Sequence, residues 1–460
     1  MPETRLPEAF ELRMKNFLGE DGFQKLADSL EKEPNTSVRL NPFKKVQPEF
    51  LDKKVPWSNS GYFLKERPSF TLDPLFHAGC YYVQEASSMY IDHILNQIKV
   101  PVEGVFLDLS AAPGGKATLL SSYLGGNGFL VANEVIKSRA NILKENIIKW
   151  GLGNTLVTQN DPEHFSGLEG FFDLVLVDAP CSGEGMFRKD PDARSEWSPE
   201  NVSLCALRQE RILDRAGGLV KGGGYLLYST CTFNTQENEE MLKFICAEFD
   251  YEPVRISNDP SWGIVESELE IDGKFYYGYR FYPHLVDGEG FFITVLKRPE
   301  KAPSMAPKKT KDFKHPYIKS IGNQECQNLI AKLGLPQESI LYSVQESYFW
   351  FNPTFQYSFE YLTRFLNIRY FGIELGKFNK NQFIPNHEWA VSIFDKNGFE
   401  KFELNKEQAL SFLRKEDIHL PDLHEGWILV TFKDIPLGWL KNLGNRVNNY
   451  YPKEWRIRNK

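Results

Sequence analysis

Cysteine is scarce, with six in 460 residues at positions 80, 181, 205, 231, 246 and 326. No two form a C-x-x-C pair, so a cysteine metal knuckle is not expected. Nor do six such scattered thiols resemble the dense framework of a small secreted domain. Reduced thiols in a cytosol fit better, most of them buried as small hydrophobes, so reactivity must be argued for one cysteine at a time. Long apolar runs are lacking as well, and none approaches the length that spans a bilayer. The first 17 residues carry charges throughout and lack the apolar core of a signal peptide. There is no basic excess: 54 Lys and Arg stand against 61 Asp and Glu, a net charge of -7. That excludes a chain coated in basic charge but leaves room for local patches. The expectation is a cytoplasmic protein without membrane span or metal, most simply a monomer.

What is present is a globular composition, 42% hydrophobic and 25% charged, in a chain too long for one ordinary domain. Residues 1–100 read as a small α+β N-terminal domain. Apolar residues recur at helical spacing over 7–18 and 22–30, and Ser37-Val38-Arg39-Leu40 predicts a strand stopped by Pro42. From 101 to 298 short apolar runs alternate with helical stretches. The runs begin at Val105, Phe129, Thr155, Phe172, Gly224 and Phe291. This pattern predicts an α/β, Rossmann-like, doubly wound and mostly parallel sheet, which binds ligands beyond the carboxyl ends of its strands. Residues 299–316 have linker composition, and 317–460 form an aromatic-rich region with the turns and strands of a small α+β or β-barrel module. Two stretches are basic: 297–314, with Lys297, Arg298, Lys301, Lys308, Lys309, Lys311 and Lys314, and the tail from Lys441 through Arg446, Lys453, Arg456, Arg458 and Lys460. Each reads equally as a nucleic-acid patch or a solvated face.

The first strand of the sheet runs into Asp108-Leu109-Ser110-Ala111-Ala112-Pro113-Gly114-Gly115-Lys116 and then a helix. Small residues let a ligand approach the backbone, and the helix start offers free N–H groups. A Walker phosphate loop would need Gly at 110 and Ser or Thr at 117, where the chain has Ser110 and Ala117, and the dinucleotide fingerprint is missing. Glu134 closes the second strand, where an acid can accept ribose hydroxyls, and Asn160-Asp161 follows the third, in reach of an adenine. That order favours an adenosyl cofactor.

Two more strand ends carry chemistry: Asp178-Ala179-Pro180-Cys181-Ser182-Gly183 and Ser229-Thr230-Cys231-Thr232. A lone strand-end cysteine is most often filling, but two beside a cofactor loop suit one reaction. Carbon 5 of cytosine becomes nucleophilic only after a thiolate adds to carbon 6, and the adduct must later be released. Cys231 suits the attack, with Asn234 and Glu237 spaced as a capping box whose helix would favour a thiolate. Asp178 suits the N3 edge of the base, and Cys181 the release. Arg188-Lys189 would meet RNA phosphates or form a loop salt bridge.

On these residues the chain resembles the NOL1/NOP2/Sun family of RNA cytosine-carbon-5 methyltransferases, whose marks are the Ala-Ala-Pro-Gly-Gly-Lys loop, Asp-Ala-Pro-Cys-Ser-Gly and Ser-Thr-Cys-Thr. Residues 77–88, Arg280-Phe281-Tyr282-Pro283-His284 with Gly288-Glu289-Gly290-Phe291-Phe292, residues 376–383 and Pro436-Leu437-Gly438-Trp439 extend the likeness to bacterial RsmF-type 16S rRNA methyltransferases with a PUA-like RNA-binding tail. The resemblance implies S-adenosyl-L-methionine as cofactor, contacted by Ser110, Ala111, Ala112, Pro113, Gly114, Gly115, Lys116, Glu134, Asp161 and Asp178. It implies attack by Cys231 with Cys181 aiding release, and 16S rRNA of the small subunit as partner. Ser110 stands where many members carry Cys, and Glu134 where many carry Asp. Rival expectations are a tRNA cytosine methyltransferase, a DNA-type enzyme in which Cys181 attacks, an amino-group methyltransferase, and a non-catalytic assembly factor.

Overall fold

A computed structural model describes residues 5–307, 313–418 and 423–458. Both helical stretches of the N-terminus lie in α1, Glu8–Leu30, which kinks at Gly19, where φ is 74°. A four-stranded antiparallel sheet follows, in the order Leu51–Lys54, Gly61–Leu64, Ser37–Leu40, Tyr81–Val83.

The unit expected from the sequence to be catalytic is built on a ten-stranded sheet. Its strands are β1 Val105–Asp108, β2 Phe129–Asn133, β3 Thr155–Thr158, β4 Phe172–Asp178, β5 Val220–Thr230, β6 Val265–Ile271, β7 Lys274–Phe281, β8 Phe291–Lys297 and β9 Ile368–Phe371, with Glu252–Pro253 added beside β8. Their order is β6-β7-β8-β5-β4-β1-β2-β3-β9. The five strands β1 to β5 pair in parallel, and the flanking strands are antiparallel. The runs are apolar on both faces because helices cover both. Four of these helices matter below: α2 Gly115–Leu124, α3 Lys137–Trp150, α4 Pro199–Ala216 and α5 Glu239–Glu248. The chain order reverses between β1 and β4, so the crevice lies above their carboxyl ends.

The remaining chain holds two more sheets. One has five strands in sequence order, from Ile318–Ser320 to Gln382–Pro385. The other has four, Glu400–Glu403, Gly426–Phe432, Ile435–Asn442 and Val447–Asn449. Between the third and fourth strands of the five-stranded sheet, the chain contributes β9 to the catalytic sheet, where it pairs antiparallel with β3. The stretch before the undescribed residues 308–312 also docks: Gly222 N–H donates to Pro303 O, and Met305 N–H to Gly170 O. Lys308, Lys309, Lys311 and Lys460 lie outside the described residues, whereas Lys297 pairs with Glu300 and Lys301 with Asp250. No described helix is long and apolar enough to cross a membrane.

The N-terminal sheet is pinned to the catalytic unit by Arg39, which is buried. Its guanidinium donates to Gln84 Oε1 at 2.8 Å, Thr118 Oγ1 at 2.5 Å and Gly115 O at 3.2 Å, and lies over the Trp150 ring. Burial pulls its pKa down to about 9. Those bonds fasten the first turn of α2, directly after the glycine loop.

Candidate active site

The loop between β1 and α2 is held by its neighbours' ends. Ala111 N–H donates to Asn133 O, while Asn133 Nδ2 donates to both Leu109 O and Asn160 O, so one side chain clasps three strand ends. On the outside Arg139 donates to Ala112 O and Asn146 to Pro113 O. Gly114 has φ 121°, which a side chain would strain, and it turns the chain into α2. A cavity of about 160 Å³ results. Ser110, Ala111, Ala112, Pro113, Gly115, Lys116 and Asp178 line it, with Tyr82 to Glu85 and Ser88 closing it from the N-terminal domain.

Gly114, Glu134 and Asp161 are not part of that lining. Glu134 is buried at the end of β2: Oε1 accepts from Ile136 N–H, and Oε2 has no hydrogen-bond partner, the Arg139 guanidinium standing 3.5 Å away. Asp161 caps the turn Pro162–Phe165 through Glu163 N–H and pairs with Arg211 at 2.9 Å. Its desolvation favours the neutral acid, but the Glu163 N–H and Arg211 outweigh this and hold its pKa below the usual value. Both oxygens of Asp108 are buried without a partner, in the wall of the same cavity. Burial, aided by Asp178, pushes this carboxyl up to about 8. In the sequence Asp108 stands out only as an acid closing a strand before a glycine turn. Orphaned buried acceptors and a loop of small residues fit a cofactor rich in hydroxyl and amino donors.

Beside this cavity β4 and β5 end in register, Asp178 opposite Ser229. Asp178 accepts from Lys116 Nζ at 2.7 Å and from Ser229 Oγ at 2.8 Å. Burial works against the Lys116 charge, yet Asp178 and then Asp108 hold its pKa above the usual lysine value. The two cysteines meet: Cys181 Sγ and Cys231 Sγ are 3.0 Å apart and unbonded, and Cys231 N–H reaches Cys181 Sγ at 3.3 Å. The hydrogen bond to the Cys231 sulfur, reinforced by burial, raises the Cys181 pKa well above an ordinary thiol.

One expectation needs correction, and one open alternative is decided. Asn234 and Glu237 form no capping box. The helix α5 starts later, at Glu239, and Asn234 Oδ1 takes only Gln236 N–H. Glu237 is drawn inward instead: its buried carboxylate accepts from Ser182 N–H at 2.8 Å, Ser182 Oγ at 2.5 Å and Gln209 Nε2 at 3.0 Å. It fixes the residue after Cys181, and α5 begins eight residues beyond Cys231. Of the two readings of Arg188-Lys189, the loop salt bridge is the one observed for Arg188. Arg188 pairs with Glu289 at 3.0 Å and donates to Gly288 O, both side chains being buried, while Lys189 stays exposed. A second buried acid missed from sequence, Glu184, takes Arg13 of α1 at 2.6 Å, Trp197 Nε1 at 2.9 Å and Phe233 N–H at 3.1 Å, tying the N-terminal helix to the cysteine loop. Among the described residues no three His, Cys, Asp or Glu side chains gather as a metal set.

Residues 97–297 match the family model for 16S rRNA methyltransferase RsmB/F, 6–86 that for the N-terminal domain of 16S rRNA methyltransferase RsmF, and 399–457 that for the methyltransferase RsmF PUA domain. The chain is 30% identical to the ribosomal RNA small subunit methyltransferase F of Erwinia tasmaniensis, over 97% of this chain and 96% of that protein. With the protein of that name from Pectobacterium carotovorum it shares 31% over 91% and 89%. Among solved structures, a methyltransferase homolog protein from Pyrococcus horikoshii superposes with a TM-score of 0.53 and 28% identity, covering 62% of this chain and 94% of that one. NSun6 from Pyrococcus horikoshii, solved with SFG, shares the fold at a TM-score of 0.51 and 21% identity, covering 65% and 99%.

Proposed function

Because this chain belongs to the RsmB/F family of rRNA methyltransferases, we propose that it methylates carbon 5 of cytosine in 16S rRNA through a covalent adduct on Cys231. It is S-adenosylmethionine-dependent, and that cofactor, when bound, supplies an electrophilic methyl group. Ser110 to Lys116 and Asp108 would hold it, with Glu134 on the ribose side and Asp161 towards the adenine.

The contacts of this chain's own residues support the following chemistry. Cys231 attacks carbon 6 of the base, forming an S–C bond, and the thiol proton ends on N3, where Asp178 stabilises it. Lys116 balances the Asp178 charge and fixes its carboxylate. The C5=C6 electron pair is thereby made available at carbon 5, which takes the methyl group. Release reverses the polarity. The S–C bond breaks towards Cys231 as Cys181, 3.0 Å away, gives that sulfur its proton. The Cys181 thiolate accepts the proton of carbon 5, the C5=C6 bond re-forms, and N3 loses its proton to Asp178.

The observation that carries this reading is the contact of two free thiols, 3.0 Å apart, beside the Lys116–Asp178 pair. The RNA-binding tail is the PUA domain at 399–457, and we place the enzyme in the cytoplasm as a monomer acting on the small subunit or its rRNA. The test is transfer of labelled methyl from S-adenosylmethionine to undermethylated small-subunit particles, naked 16S rRNA and tRNA. Wild type should label a cytosine in the rRNA, and Cys231→Ala should lose at least a thousandfold in rate, as removal of a covalent nucleophile does. Preferential labelling of tRNA, or activity retained by Cys231→Ala, would contradict the assignment.

A further inference from the structure

A second cavity, of about 280 Å³, lies outside the cleft that holds the cysteines. It opens between the N-terminal sheet, which contributes Trp57 and Phe63, and the catalytic unit, which contributes Trp262, His284 and Leu285. Trp57 is buried and meets Trp262 edge-on at 6.0 Å and Phe281 at 5.4 Å. Leu285 remains 48% exposed at the mouth. Lys53 and Lys54 stand exposed on the rim, at the end of an edge strand. The one carboxylate in the lining, Asp287, pairs with Lys53 at 2.5 Å and accepts from Asn35 Nδ2 at 3.3 Å. Lys54 has no carboxylate partner among the described residues, so it carries the net charge of the rim. In the wall, His284 Nδ1 is buried with no hydrogen-bond partner.

Topology places this cavity at the catalytic end of the sheet. The segment 282–290 joins β7 to β8, Phe281 pairs with Phe291, and Phe292 pairs with Thr230, the residue before Cys231. The wall therefore continues through Gly288 to Gly290 into the cysteine loop, where Gly290 packs on Gly185.

Aromatic walls, a cationic rim and an unfilled polar group are what a single unpaired nucleotide asks of a protein. The volume is small for a ligand pocket, matching one nucleotide rather than a helix. The geometry points to this cavity as the binding site for one unpaired RNA nucleotide close in sequence to the methylated cytosine. Its base rests against Trp262 and Trp57, its edge meets His284, and its phosphate lies on Lys54. The inference rests on the RNA-methylation reading and adds a specificity pocket to it.

An abasic scan separates the two. Substrate RNAs with one base removed at each position around the methylated cytosine are assayed for kcat/KM with the full-length enzyme. Wild type should show a drop of about tenfold at one such position, the scale of one lost base–aromatic stack. In Trp262→Ala that drop should vanish against an already lowered background, and Trp262→Phe should restore it. Lys54→Glu, an exposed change that spares the fold, should weaken RNA binding by about tenfold while leaving binding of S-adenosylmethionine unchanged. An abasic profile in Trp262→Ala identical to wild type, or RNA affinity unchanged in Lys54→Glu, would overturn the pocket while leaving the methyltransferase assignment intact. A wild-type enzyme that methylates no RNA would bring down both.

Discussion

Asp108, Asp178 and Lys116 crowd two acids and one base into a buried corner, and the charges cannot all be satisfied by each other. Lys116 goes to Asp178, and Asp108 is left with a carboxyl pushed up to about 8. The sign of its pH effect follows. The folded state keeps this proton up to about pH 8, whereas an unfolded chain gives it up near 4. Between those values the native state binds more protons, so stability falls as pH rises. Glu388, also raised to about 8 by burial, adds to the same slope. Thermal melts of Asp108→Asn between pH 5 and 9 should show a shallower decline than wild type, by up to about 4 kcal/mol over the range, at about 1.4 kcal/mol per pH unit until pH 8. Identical slopes would mean that Asp108 titrates normally. At this scale the sequence was legible for placement, since Asp178, Cys181 and Cys231 do meet at neighbouring strand ends. It misled where the partner is distant. Glu237 stands three residues after Asn234, the spacing of a capping box, but its carboxylate is claimed by Ser182, 55 positions earlier in the chain.

Among elements, the catalytic strands were readable because each is an apolar run long enough to be buried on both faces. The turn 282–290 was recognisable as a motif, but its purpose was not. A Cβ at Gly290 would lie 2.5 Å from Gly185 Cα and 2.6 Å from the Phe233 ring, and one at Gly185 would lie 2.5 Å from Gly290 O. Backbone touches backbone here, and the buried Arg188–Glu289 pair locks the turn onto the cysteine loop. Gly290→Ala must push the two loops apart. It should cost about 1–3 kcal/mol, as overpacking does, and lower methyl transfer more than it lowers cofactor binding. Circular dichroism melts and single-turnover assays read both, and a variant with wild-type values would show that the contact does not position Cys181.

For the whole molecule, composition divided the chain at 298 and 316, and the structure adds a link across that division. The four residues of β9, far down the chain, cover the edge of β3, and Phe351, Phe355, Phe359 and Phe371 join the core that contains Phe129 and Leu156. A four-residue strand inside an aromatic-rich tail has no periodicity that distinguishes it from its neighbours. A chain ending at residue 298 should therefore expose an unpaired strand edge and aromatic surface, and elute at larger apparent size than the full chain on size-exclusion chromatography, by aggregation. A soluble, active truncation would show the tail to be an independent appendage. Arg13 at Glu184 and Arg39 at Gln84 extend the same dependence to the N-terminus. The N-terminal helix, the cysteine loop, the glycine loop and the segment 351–371 are thus tied to one sheet.

The pair itself is tested most directly by trapping. Cys181→Ala, incubated with S-adenosylmethionine and substrate rRNA, digested with nuclease and protease and analysed by mass spectrometry, should yield the Cys231 peptide carrying a methylated cytidine. The same adduct on Cys181 in a Cys231→Ala enzyme, with none on Cys231, would reverse the two roles and contradict the account.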